Sequence, residues 1–203
     1  MWWWWGRLLL AIALVYVVWS CLEYVAHRYL MHSSRSLPFA TRHLLHHVAT
    51  RSNMTLNKQH PGYATLGEEE NLCFSGWESL AMYAIGLVMV IPCVAAVGAP
   101  LRSSITLWTA LFAVCLAFYT NITWNTIHPL VHGESPTKCG PLVIRSPRVI
   151  HGSWFTWLQQ NHRAHHAIKG PRKGNFNVTL PGADFLFGTY RTLPAGERDC
   201  CGR

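Results

Sequence analysis

Charge is what this sequence has least of. Only 13% of its 203 residues are Asp, Glu, Lys or Arg, and just nine are acidic. That is too few charges for a disordered chain and low for a soluble one. Other absences narrow the field. There is no G-x-G-x-x-G and no flavin or haem module, so any electrons the chain uses must arrive from a separate carrier. There is no compact basic helix and no aromatic-basic platform, which argues against nucleic-acid binding despite the net charge of +8. The seven cysteines include no C-x-x-C pair, and the terminal CCGR lacks the aliphatic middle of a prenylation box. No solenoid-type repeat occurs, and the only low-complexity tract is the opening WWWW.

What the chain has instead is long apolar runs. Residues 2–22 are apolar except for Gly6, Arg7 and Ser20, and neither Leu80–Val97 nor Ile105–Ile122 contains a charge. Each run has the length of a membrane-crossing helix. Spans at about 2–22, 78–98 and 104–122 are expected, with Pro92 kinking the second. The first run starts at tryptophans suited to the membrane interface and is not followed by an A-x-A site, so it reads as a retained anchor rather than a signal peptide. Of the 17 Lys and Arg, only Arg7 and Arg102 lie outside 23–76 and 125–203. The positive-inside rule then places both of those stretches in the cytoplasm. Cys73, Cys139, Cys200 and Cys201 would be reduced there. The expected architecture is all-α and integral to the membrane. It is a single domain over 1–203 with three to four transmembrane helices and a cytoplasmic histidine-rich cap from 23–76 and 125–190.

Ten of the twelve histidines fall in four clusters: His27 and His32 in HRYLMH; His43, His46 and His47 in HLLHH; His128 and His132 in HPLVH; His162, His165 and His166 in HRAHH. All ten lie just past the ends of the apolar runs. On an α-helix the two HxxHH sets each place three imidazoles on one face. The HRAHH helix is expected to end with Lys169 in its last turn and Gly170 at C′. His27 and His32 would sit about 140° apart on an ideal helix, poorly placed to share an ion. His128, before Pro129, is expected at a helix start, with His132 one turn in. Imidazoles this crowded need a metal to neutralise the arrangement. An ion takes about four to six ligands, so ten suit two ions. Fe, Zn, Cu and Ni all accept imidazole. His60 and His151 stand apart and read as surface residues.

The pieces EYVAHRYLMH, HLLHH, HPLVH and HRAHH, with the tail NFNV…DFLFGTY, resemble the fatty acid hydroxylase superfamily of membrane di-iron enzymes over about residues 23–190. In the tail, Asn175, Phe176, Asp184, Phe187, Gly188 and Thr189 match the family pattern, while Asn177 and Ala183 depart from it. The resemblance implies two iron ions held by the ten histidines, O2 as co-substrate and an external electron donor such as a cytochrome b5 or ferredoxin. It implies a non-haem di-iron monooxygenase that hydroxylates a membrane lipid, a fatty acyl or sphingolipid chain. HRYLMH and HRAHH resemble the β-carotene hydroxylase branch, and the family also holds sterol desaturases and oxidases. Such an enzyme would sit in the endoplasmic reticulum of a eukaryote or the inner membrane of a bacterium. Glu23, Asn125, Asn175 and Asp184 are candidates for groups that fix imidazole tautomers. A non-catalytic membrane metal-binding protein is the reading from a different class.

Overall fold

The computed structural model describes residues 2–32, 38–61, 73–139 and 142–193. Three of its helices are long and apolar enough to cross a membrane. The first, α1, runs Trp2–Val25 and continues without a break into a π-helical turn, Ala26–Met31. After the short α2 (Pro38–Ala49) come α3 (Gly76–Ala96) and α4 (Ser104–Val131). The cap is completed by the one-turn α5 (Pro147–Ile150), by α6 (Ser153–Ala167) and by the one-turn α7 (Ala183–Leu186). Among the described residues the only extended pairing is an isolated bridge between Thr50 and Leu56.

Local chemistry sets the ends of the spans. Ser75 starts α3 with a reciprocal cap: its hydroxyl accepts from Glu78 N–H while its own N–H donates to the Glu78 carboxylate at 2.7 Å. Ser103 caps α4 through Thr106 N–H. The three long helices pack on one another around Leu8, Ala11, Val15 and Trp19 of α1, Met89, Val90 and Val94 of α3, and Ala113, Leu116 and Ala117 of α4. Small residues let the backbones approach, as is usual between membrane helices. At Gly86 a Cβ would come within 2.9 Å of the Trp19 ring, so that position needs glycine.

The first and third helical stretches are longer than their apolar runs. They reach 30 and 28 residues, each on the order of 40 Å, against about 30 Å for the hydrocarbon core. The surplus is about two to three turns, and the last turns carry His27, His32, His128 and His132. Pro129 does not start a new helix. It sits in the last turn of α4, and His132 is the C-cap of that same helix. The residue before a proline avoids the helical region when free, but His128 and Ile127 are both fully buried here, and packing outweighs the local preference. The HRAHH helix also ends earlier than expected, at Ala167, with Ile168 extended. Gly170 instead opens a 3₁₀ turn at φ +70°. Cys73 and Cys139 are not separate thiols but a disulfide, tying the approach to α3 to the turn after α4. Cys200 and Cys201 lie outside the described residues.

Candidate metal centre

The ten clustered histidines meet in two groups of five, and in each group one ring nitrogen per residue lies within 4.8 Å of all the others. The first group is His27, His32, His43, His47 and His165; the second is His46, His128, His132, His162 and His166. His60 and His151 belong to neither.

Each HxxHH motif is therefore split between the groups. Adjacent helical residues point roughly 100° apart. His46 and His47 diverge from α2 by that angle, as do His165 and His166 from α6, and no single ion can collect all three members of a motif. The pairs four apart stay together instead: His43 with His47 in the first group, His162 with His166 and His128 with His132 in the second. The leftover single residue crosses over in each case, His165 to the first group and His46 to the second. His27 and His32 share a group after all. The chain between them is π-helical, with i→i+5 bonding, so residues five apart lie over one another. Their rings stack with centroids 5.2 Å apart.

The aimed atoms are Nε2. His27 Nδ1 donates to the Phe176 carbonyl at 2.7 Å, His165 Nδ1 to Gly174 at 2.8 Å and His132 Nδ1 to Met54 at 2.8 Å. A carbonyl can only accept, so the proton of each ring is on Nδ1 and the lone pair on Nε2. In the first group successive Nε2 atoms stand 3.0 Å (His27–His43), 3.1 Å (His43–His32), 3.1 Å (His32–His165), 3.1 Å (His165–His47) and 3.0 Å (His47–His43) apart. In the second, His128–His46 is 3.1 Å and His46–His166 is 3.2 Å. His132 Nε2 and both nitrogens of His162 are buried with no hydrogen-bond partner at all.

Burial pushes eight of the clustered histidines below the usual imidazole range, and crowding by neighbouring charges adds to this. His32 and His132 fall to about 3, and His43, His46, His47, His162, His165 and His166 also lie well down. Neutral rings whose Nε2 lone pairs converge repel one another unless a cation stands between them. An octahedral ion with ligands at about 2.1 Å spaces adjacent donors about 3.0 Å apart, whereas a tetrahedral one spaces them about 3.4 Å apart. The donor set fits a metal ion in each group, with five neutral nitrogens and one position left over.

The four side chains expected to orient imidazoles do other work. Glu23 accepts from the N–H groups of Val178, Thr179 and Leu180, at 3.0, 2.8 and 3.1 Å. Asn125 accepts from Phe74 N–H at 2.9 Å. Asn175 brackets Arg191, accepting from its N–H and donating to its carbonyl, and Asp184 accepts from Asn177 N–H and the Thr189 hydroxyl. None touches a ring. Glu23, Asn175 and Asp184 hold the segments next to the Phe176 and Gly174 carbonyls, Asn125 holds the approach to α3, and backbone carbonyls carry no signature in residue type. Met54, which supplies the third carbonyl, sits at φ +70°, a conformation non-glycine residues rarely adopt and one its residue type does not announce. Among the described residues one charged side chain reaches a ligand ring: Lys173 Nζ lies 3.3 Å from His32 Nδ1.

A cleft of about 280 Å³ runs between α1, α3 and α4, lined by Leu30, Phe74, Met82, Ile85 and Trp124 among others. Of the ten histidines only His27 reaches it. Leu22, Leu30 and Ile85 on its edges are exposed on the outer face of the helices. No protein-family model, curated protein or solved structure matches this chain. Buried histidine groups able to hold metal, set at the ends of three apolar helices, fit a membrane metalloenzyme.

Proposed function

We propose that this chain is a two-iron, O2-dependent membrane oxidoreductase that hydroxylates the acyl chain of a lipid. The observation that carries the reading is the pair of five-histidine groups, with edges of 3.0–3.1 Å around the first and 3.1 and 3.2 Å from His46 to His128 and His166 in the second. A structural zinc site takes four ligands and is closed. Five donors in a six-coordinate shell leave a position for an exogenous ligand, the arrangement a catalytic ion needs. Iron bound there supplies the capacity to reduce O2 and oxidise an unactivated C–H bond.

The chain's own residues supply the rest. The cleft brings an apolar chain from between α1 and α3 to His27, beneath the first group. Its walls offer no bound water a competing role, because they are almost wholly apolar. The Phe176, Gly174 and Met54 carbonyls hold the ring tautomers, and outer partners of this kind affect metal affinity about 10–100-fold. The overall change, RH + O2 + 2e⁻ + 2H⁺ → ROH + H2O, needs two electrons, and the donor is a separate carrier of the cytochrome b5 or ferredoxin type. The Lys and Arg distribution supports a cap on the cytoplasmic side.

The test is expression with such a carrier, followed by lipid analysis under ¹⁸O2. A lipid carrying one labelled oxygen is expected. A lipid that loses two hydrogens without label makes the chain a desaturase. Unchanged lipids, with two irons bound and a working reductase, overturn catalysis in favour of metal binding alone.

A further inference from the structure

The segment after the last histidine motif folds back along α1, toward the bilayer. Tyr16 Oη donates to the Pro181 carbonyl at 2.6 Å, Ser20 Oγ to Leu180, and Glu23 gathers the three N–H groups of 178–180. From His27 back to Tyr16 is eleven residues, roughly 16 Å along a helix. Tyr119, midway along α4, donates to Thr179 O from the other side. Residues 177–184 therefore lie at the level of the cap-side leaflet, beside two spans.

Irregular backbone is tolerated at that depth only where protein satisfies its polar groups. Here it is satisfied: Asn177, Val178, Thr179, Leu180 and Asp184 are buried, and Asn177 Nδ2 adds a bond to Ser20 O. The outer edge of the same segment is the reverse. Phe185, Leu186 and Phe187, three consecutive large apolar residues, are 54%, 67% and 51% exposed. They continue an aromatic row, Phe185 on Tyr190, Tyr190 on Trp157, Trp157 on Trp154, with centroids 4.3, 6.1 and 5.4 Å apart. Aromatic belts of this composition mark the membrane–water interface.

We propose that residues 185–187, with Trp154, form a foot inserted in the cap-side leaflet, its occupant being lipid acyl chains just below the headgroups. The surface is continuous with the membrane face of α1. The foot sits about 5–10 Å into the boundary, the depth of interfacial segments, and pins the height of the histidine groups above the bilayer. It does not depend on which metal or substrate the chain takes.

The test places a photo-crosslinking benzoylphenylalanine at Leu186 and, separately, at Gln59, an exposed residue of the loop beside His132. Full-length protein is irradiated in vesicles of phosphatidylcholine and phosphatidylglycerol, and adducts are read by mass. Acyl-chain adducts several-fold more abundant at 186 than at 59 are expected. Equal yields at the two sites overturn the proposal, and so does a crosslink from 186 to a second copy of the chain. Both reporters sit on exposed side chains, and thermal unfolding matching the unmodified protein confirms that neither disturbs the fold.

Discussion

The two histidine groups have the same donors and different surroundings. Each is two helical pairs plus one crossing residue, and each offers five imidazoles. The second is wholly buried and retains unpartnered nitrogens on His132 and His162. The first has two partly exposed members, His32 and His47, carries Lys173 against His32, and meets the cleft at His27. Equal ligand sets thus come with unequal access. On the proposed reading, an ion in the first group is the one a substrate and a chelator can approach, and one in the second is sealed behind α6 and the end of α4.

The sharpest way to break the comparison is to remove one crossing residue at a time. His46→Ala should cost the second ion and His165→Ala the first, each lowering iron from two per chain toward one and activity by more than ~100-fold, beyond the loss typical of an outer partner. His60→Ala and His151→Ala should change neither. Elemental analysis showing both ions lost, or neither, in the single variants would mean that the groups are not separate sites.

Gly174→Ala should act on the first group alone. A Cβ there would lie 1.9 Å from Thr189 O, so the segment must move, and with it the carbonyl that orients His165. Affinity for one ion should fall about 10–100-fold, with the other unchanged in a competition titration against a chelator of known strength. Unequal access also predicts two-phase iron release from the unaltered protein in excess chelator, the faster phase disappearing in His165→Ala. Single-phase release would remove the asymmetry.

Acid should affect both groups alike. The unfolded chain protonates its histidines below about 6.5, whereas the folded rings resist, down to about 3 for His32 and His132. The unfolded state then holds more protons, so stability of the metal-free protein falls as pH drops from 6.5 toward 3. Each fully buried ring contributes up to about 1.4 kcal/mol per pH unit. Urea midpoints flat between pH 6.5 and 4 would contradict the burial of the rings. The smallest effect concerns the face of the membrane. If the cap is cytoplasmic, rapid alkylation of intact cells before lysis should find Cys73 and Cys139 largely as thiols, despite their pairing in the fold. An intact bond in freshly made protein would place the cap on the oxidising side.

The sequence carried the spans and the donors legibly, because both are properties of residue type. Leu80–Val97 is apolar wherever it is placed, and ten histidines beside the ends of apolar runs are candidate metal ligands whatever their geometry. The partition of those ligands was less legible. The 100° step between His46 and His47 was present in the spacing, but only the approach of α2 to α6 decides which neighbour each ring meets. The pairing of His27 with His32 depended on a π-turn, whose extra residue per turn is held by tertiary contacts and leaves no mark in composition. The orienting groups were least legible of all. Glu23, Asn125, Asn175 and Asp184 have the right chemistry to hold an imidazole, yet the chain uses them to pin loops, and main-chain carbonyls at Met54, Gly174 and Phe176 hold the rings.

By itself, then, the sequence determined three helices long and apolar enough to cross a membrane and enough imidazole for two ions, since hydropathy and ligand type are intrinsic to side chains. Only the tertiary structure decided which five histidines share an ion, which group faces the cleft and which carbonyl sets each tautomer. Those are relations of distance and direction between segments far apart in the chain, and they exist only once the helices have packed.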